Sequence, residues 1–348
     1  MELLLNISLL ALLLTTAVAI AWTRDLFAAA MLAGIYGLLS ASFFMAMGAV
    51  DVAFTEAAVG AGIAPLLILL TLALCGRRQR SDKTRAVLAL ILVAAVGTLL
   101  LAATLDMPAF GAADAPAHGH VAPRYIGESM AEIGIPNIVT SVLASYRAFD
   151  TLGEVVVIFT AGLGVLALLL GGSDSRSAVP SPALQSGGQS RDLVLRVVAK
   201  ILIAPIMLFA LYVQFHGEYG PGGGFQAGVI FAVGFILYGL VFGLDAVQRV
   251  AGNGLVQLLA AVGVMIYGAV GLLGLATGKN FLDYSALAGD PVSGQHVGII
   301  AIELGVGITV AAVMILIFYA FSAQLRRDGQ PAMQVEETID EMIERRVG

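Results

Sequence analysis

Apolar residues run along the chain in nine long blocks, set apart by short polar or basic stretches. A helix that crosses the hydrocarbon core of a bilayer needs roughly 20 predominantly apolar residues. The windows that qualify are 3–22, 26–48, 52–75, 86–105, 153–171, 193–213, 224–244, 255–276 and 298–321. This pattern predicts an all-α polytopic membrane protein with about nine transmembrane helices. The first window ends near Ala17-Val18-Ala19, which resembles a secretion-signal cleavage site. It begins with Glu2 and has no basic leader, so a retained helix is expected.

Polar stretches divide the blocks. Residues 106–151 form a long segment, rich in Pro, Gly and His early and helical in pattern later. Residues 172–191 are Gly/Ser/Pro-rich, the composition of a flexible linker, and read as a joint between 1–171 and 192–348. In the tail, Val335, Ile339, Met342 and Ile343 recur at helical spacing, which predicts a short amphipathic helix that docks on a partner or on the membrane surface. The organisation expected is a three-helix domain over 1–80, a domain over 81–171 carrying the external segment 106–151, the linker, a four-helix domain over 192–322, and a tail over 323–348.

Composition narrows the function classes. The chain is 59% hydrophobic and 12% charged, with a mean hydropathy of +0.94. Soluble domains carry about 25% charged residues, so a soluble enzyme and a disordered chain are excluded. A net charge of -6 leaves no basic surface for nucleic acid. The single cysteine, Cys75, rules out an intrachain disulfide and a cysteine-ligated metal or cluster. Lys and Arg set the orientation. Arg77, Arg78, Arg80, Lys83 and Arg85 place the loop after the third block in the cytoplasm. Counting outward from there puts 15 of the 18 basic residues inside, leaving Arg124, Arg147 and Lys279 outside. The N-terminus is expected outside and the C-terminus in the cytoplasm.

A charge at mid-bilayer costs at least ~2.5–3.5 kcal/mol on insertion scales, so each one calls for a reason. The acids within or at the ends of the blocks are Asp51, Glu56, Asp150, Glu154, Asp245 and Glu303. Asp245 reads as a solvated anchor at a span end. Glu56 and Glu303 each lie about five residues inside a window, roughly 7–8 Å deep, too far for simple capping. They are candidates for moving protons or cations, or for the buried half of an interhelical pair. Asp51 and Thr55 share a helix face, as do Asp150 and Glu154, and Arg147 can pair with Asp150. Asp51 and Asp150 could equally be helix caps. Lys200 and Arg196 read as snorkelling anchors, with a relay lysine as the alternative for Lys200. Gly60, Gly62 and Pro65 allow a close helix neighbour and a kink below Glu56.

Residues 212–228 read YVQFHGEYGPGGGFQAG. The run from Gly220 to Gly224 cannot continue a helix. It is a tight turn, or an unwound segment that brings His216, Glu218 and Gln226 to the membrane edge. His296, seven residues before Glu303, is either a proton donor to it or an interfacial residue. His118 and His120 are two ligands without a third, so no metal site is assigned, and no cofactor is expected.

Three motifs carry a family resemblance. APIMLFALYVQFHGEYGPGGGFQAGVIFA (204–232) resembles the signature of the MnhB/MrpB component of the Mrp/Mnh-type multisubunit sodium/proton antiporters. DVAFTEAAVGAGIAPLL (51–67) and SVLASYRAFDTLGEVVVIFTA (141–161) resemble the C-terminal region of the large, antiporter-like component of the same complexes. That region is similar in turn to the MbhD and MbhE components of energy-converting hydrogenases. The resemblance implies that Glu56 is the glutamate of a lateral ion pathway. It also implies that Asp150 and Glu154 are the acidic pair of that region. His216 and the Gly222-Gly223-Gly224-Phe225-Gln226 run match the MnhB/MrpB signature. The family often has a second histidine where this chain has Glu218, and a glycine where it has Ala227. The long antiporter-like part of the large component is not represented, so the chain is expected to be one part of a larger machine.

These readings point to a membrane subunit of a monovalent cation (Na+)/proton antiporter. It would contribute part of the ion path and assemble with large antiporter-like and small hydrophobic subunits in a bacterial inner (plasma) membrane. The alternatives are the ion module of an energy-converting hydrogenase and a non-conducting scaffold. No Ser-His-Asp grouping, metal triad or nucleotide motif supports a stand-alone enzyme.

Overall fold

The structure, a computed structural model, describes residues 2–79, 83–109, 111–170 and 193–327. The linker and tail readings at 172–191 and 328–348 lie outside these residues. The chain begins with α1 (Glu2–Trp22) and α2 (Leu26–Ala46). The third apolar block is not one regular helix. It divides into α3 (Val50–Glu56), a π-helical stretch (Ala57–Ile63) and α4 (Ala64–Cys75). Pro65 sits in the first turn of α4 and has no backbone N–H to give the preceding turn, and the wider turns end just before it.

Next come α5 (Lys83–Thr104) and the short helices α6 (Pro116–Gly119), α7 (Ala122–Glu132) and α8 (Ile138–Ser141). A second π-helical stretch (Val142–Tyr146) leads into α9 (Ala148–Leu170). The last part holds α10 (Leu193–His216), α11 (Gly224–Phe242), α12 (Leu244–Val250), α13 (Asn253–Ala276) and α14 (Pro291–Arg327). Nine helices among the described residues are long and apolar enough to cross a membrane, and no strand is found there.

The expected spans and the observed ones coincide except at the ends. The fifth begins at Ala148, not 153, and the ninth runs from Pro291 to Leu325, not 298–321. Polar residues near both starts lengthen the helices beyond their apolar windows. Glu303 consequently lies twelve residues after Pro291, deeper along its helix than the window suggested.

α14 is the central post. Two thirds of its most apolar 18-residue stretch is buried, and the helix packs against α11, α13, α9 and α4. Lipid tails offer no hydrophobic gain for helix pairing, so close approach of small residues does the work. A Cβ on Gly224 or Gly228 of α11 would collide with the α14 backbone near Gly307 and Ala311. Gly263 of α13 packs the same way against Gly305 and Thr309. Buried hydroxyls close these seams. Thr309 Oγ1 reaches Ala260 O of α13 at 3.5 Å, and Tyr319 donates to Ala251 O and Tyr267 to Ala148 O, each of the last two at 2.8 Å. By contrast, no residue of the α5 span is buried.

Outside the spans, Asp25 ties two loops together. Its carboxylate caps α2 by accepting from Phe27 N and Ala28 N at 3.0 and 3.3 Å, and pairs with Arg77 at 2.6 Å. Leu26 N donates to Arg77 O and Gln79 N to Arg24 O. The Arg77 guanidinium holds Asp25 below the ordinary value of 3.8 despite a smaller, opposing effect of burial. This contribution is complete above that ordinary value and is lost as pH falls through the depressed one. Asp25→Ala is expected to cost about 1 kcal/mol through the lost cap. Asp25→Asn, which keeps the cap and loses only a half-exposed ion pair, should cost less. Thermal unfolding of the detergent-solubilised protein checks this order.

Candidate functional site

A cavity of about 750 Å³ opens where α3, α8, α9, α11 and α14 converge. Asp51 and Thr55 reach it from α3, four residues apart and hence on one face. Glu154 reaches it from α9 and Glu303 from α14. Gly222, Gly223, Gly224, Phe225 and Gln226 form one edge. Most of the remaining wall is apolar, with Val155, Ile158, Ile302 and Val306 among its residues. Among the described residues, no Lys or Arg lines it. A smaller pocket of about 340 Å³ shares Asp51, Val52 and Val139 with it and extends past Gly48 and Pro221.

The glycine run is what lets the polar groups meet. Gly223 has φ 115°, in the left-handed region that favours glycine, and turns the chain into α11. The Glu303 carboxylate lies directly over Gly217 and Gly223, so a Cβ on either would sit 3.2 Å from one of its oxygens. Among the described residues that carboxylate has no hydrogen-bond or ion-pair partner; it faces the cavity. Gln226 Nε2 donates to Thr55 Oγ1 at 2.6 Å and links α11 to α3.

Asn137, in the turn before α8, organises the outer end. Its Oδ1 accepts from Val139 N, capping α8. Its Nδ2 lies 3.1 Å from each of Asp51 Oδ1, Gly217 O and Gly220 O. Thr140 Oγ1 donates to Gly217 O at 2.6 Å, and Asn137 N donates to Glu218 O at 3.0 Å. The segment between α5 and α9 thereby clamps the 217–220 turn and Asp51 in one network. Farther out, Tyr146 donates to Glu132, which also pairs with Arg124. Burial and the Glu132 charge push the Tyr146 hydroxyl up to about 12, while this bond and Arg124 hold Glu132 low.

Not every residue singled out from the sequence is at the cavity. The Glu56 carboxylate folds over Gly60 in the π-helical stretch, whose backbone is pressed against Gly37 of α2. Glu56 has no side-chain partner among the described residues and does not line the cavity. Pro65 packs on Gly34 of α2. Asp150 pairs with Arg147 at 2.6 Å, about half exposed, and is also off the cavity wall. His216 stacks on Tyr212, with ring centroids 4.9 Å apart, and packs against Gly220. Lys200 and Arg196 lie over the Phe242 ring at 5.6 Å, at the other end of α10 from His216. Their position fits anchoring better than relay.

Two acid–base groups gain a place the sequence did not assign. Glu218 is buried, with Oε2 3.3 Å from His296 Nδ1 and with Oε1 lacking any partner among the described residues. The signal was present, since Glu218 adjoins the glycine run and His296 precedes Glu303. Their pairing across 78 positions was not visible.

Comparison with known proteins follows the same division of the chain. Three family models match in tandem. MbhD of the MBH complex matches over residues 11–77 and MbhE of the same complex over 83–186. The domain related to the MnhB subunit of Na+/H+ antiporter matches over 194–316. A putative antiporter subunit mnhB2 of Staphylococcus haemolyticus is 36% identical over 137 residues, covering 38% of this chain and 96% of that relative. The Staphylococcus aureus (strain Newman) counterpart is 32% identical over the same shares. A chain in the structure of the Mrp complex from Dietzia sp. DQ12-45-1b superposes with a TM-score of 0.72 at 27% identity, covering 90% of this chain. This chain spans about a third of that one, 34% of its length. The fold thus defines a multi-pass membrane protein similar to part of a chain of the Mrp complex. More particularly, the chain belongs to the MnhB family of Na+/H+ antiporter subunits, joined here to MbhD- and MbhE-type segments.

Proposed function

We propose that this chain is an ion-conducting membrane subunit of a multisubunit Na+/H+ antiporter and that the cavity is part of the translocation path. The observation that carries this is the meeting of Asp51, Glu154 and Glu303 around one cavity that no basic residue lines among the described residues. A carboxylate with no built-in counter-charge holds either a proton or a monovalent cation, and exchange follows from their competition for it. Acids inside a membrane bundle mark such paths. Asp150, paired with Arg147 beside the cavity, tunes the charge at its rim. Glu56 lies next to a π-helical stretch, a feature frequent at functional sites, and continues the path towards α2.

The chain works as a transporter subunit rather than an enzyme, in a bacterial plasma membrane and with other antiporter subunits. The segments 1–80, 81–171 and 192–322 act as its three structural domains. The basic-residue asymmetry supports an outside N-terminus and a cytoplasmic C-terminus.

The test is exchange by the whole complex, co-purified with its partner subunits and reconstituted with a lumenal pH dye. An imposed Na+ gradient should drive protons the opposite way. No exchange would sink the reading. Recovery with nickel–iron and iron–sulfur subunits would move the chain to a hydrogenase assembly. Glu56→Gln should slow exchange while the complex still assembles, whereas a scaffold role predicts a silent substitution.

A further inference from the structure

The cavity explains Glu303 but not the pair beside it. Glu218 sits buried in the clamped turn 217–220. Its Oε2 meets His296 Nδ1 at 3.3 Å. Its Oε1 is fully enclosed and satisfies no donor among the described residues. A buried carboxylate oxygen left empty is costly, and native structures seldom keep one without a use. His296 is about one third exposed, and its Nε2 faces Gly134, in the turn after α7. Neither residue lines the cavity. Glu303 does, and its carboxylate rests on Gly217, the residue before Glu218.

We propose that Glu218 and His296 form a proton branch from the outer surface to Glu303, distinct from the cavity through which the cation arrives. The inference rests on the antiporter reading and deepens it. The branch works by two proton hand-overs. His296 takes a proton on Nε2 and passes the one on Nδ1 to Glu218 Oε2. The carboxyl group turns about its Cγ–Cδ bond and releases the proton from its enclosed side to the Glu303 carboxylate. Glu218 is then a carboxylate again, and His296, left with its proton on Nε2, regains the Nδ1–H form by a ring flip or by exchange with water before the next transfer; one proton has moved.

The surroundings suit this route. From α14 come His296 and Glu303 themselves, and from the turn only Glu218, since His216 is held by Tyr212 and Gly220. From α3, Asp51 is reached through Asn137. Glu154 of α9 lies on the cavity wall, Tyr267 of α13 is committed to Ala148 O, and Tyr284 packs behind α14 at Gly298. No lysine or arginine stands among these groups to fix Glu218 as a permanent anion. Proton and cation therefore reach one carboxylate from different sides, which makes occupancy by one exclude the other.

The experiment compares reconstituted complexes carrying the wild-type chain, Glu218→Gln, Glu218→Asp, His296→Gln and Glu303→Gln. Initial exchange rates are measured against Na+ concentration at several external pH values. Glu218→Gln should lower the maximal rate at least about tenfold with half-saturating Na+ unchanged. Glu218→Asp, still titratable, should keep most of the rate, and His296→Gln should flatten the dependence on external pH. An unchanged maximal rate in Glu218→Gln would overturn the branch. So would a raised half-saturating Na+ at an unchanged maximal rate, which would make Glu218 a cation ligand. If Glu218→Gln does not assemble, His296→Gln decides, and an unaltered pH profile there refutes the proposal. A wild-type complex that exchanges nothing refutes the antiporter reading instead. Exchange abolished by Glu303→Gln but not slowed by Glu218→Gln refutes the branch alone.

Discussion

Glu303→Gln is expected to abolish cation/proton exchange and leave the complex assembled. The amide keeps the size of the carboxyl, and no hydrogen bond or ion pair among the described residues is lost with the charge. Its neighbours are the backbone of Gly217 and Gly223 and the open cavity. What disappears is the capacity to bind a proton or a cation at the point where the helices converge. Positioned proton-transfer groups contribute on the order of 10²–10⁴ in rate, so a loss of at least about 10²-fold is expected. Dye-monitored exchange in proteoliposomes, set beside the recovery of partner subunits, measures both parts. Rapid exchange in the variant would place the path elsewhere.

Gly224→Ala is expected to destabilise the bundle more than any other single methyl added along these seams. Alanine is the better helix former by about 1 kcal/mol, so local propensity alone predicts a gain. Packing reverses the sign. The added Cβ would meet Glu303 O, Gly307 N and Val306 Cβ, and backbone atoms cannot rotate aside. Overpacking costs typically ~1–3 kcal/mol, and the upper end applies where the obstruction is main chain. Against a total stability of about 5–15 kcal/mol, this should lower the unfolding temperature of the solubilised complex by several degrees. Gly97→Ala on α5, where the methyl would meet nothing within 4 Å, serves as the control and should change little. Equal unfolding temperatures in the two variants would contradict a close α11–α14 seam.

Much of this architecture can be read from residue order because the bilayer makes hydropathy a strong constraint. Each of the nine apolar windows corresponds to a helix. The carboxylates at Asp51, Glu154 and Glu303 stand out because a charge in an apolar block is expensive. The break before α11 announces itself because Pro221 has no N–H to give and the four glycines around it have no side chains. What residue order does not show is which acids share a cavity. Asp150 and Glu154 look equivalent in sequence, one turn apart, yet one turns to Arg147 and the other to the cavity. Asn137 is an ordinary polar residue in the long segment between α5 and α9, and only tertiary structure makes it the clamp of Asp51 and the 217–220 turn. The π-helical stretches also escape a reading by period. A few wide turns pressed between Gly37 and Pro65 depend on packing rather than on any repeat.

The length of α14 has a mechanical side. Its 37 residues make a rod of about 55 Å, nearly twice the ~30 Å hydrocarbon thickness. The rod is gripped where α11 and α13 cross it at Gly307 and Gly305, within about one turn of Glu303. The grip does not end there: Val313 packs on Gly162 of α9, Phe318 on Gly239 of α11, and Tyr319 bonds Ala251 O. The rod is therefore clamped along its length rather than hinged, and it holds the Glu303 carboxylate as a fixed point against which the segments around the cavity can shift.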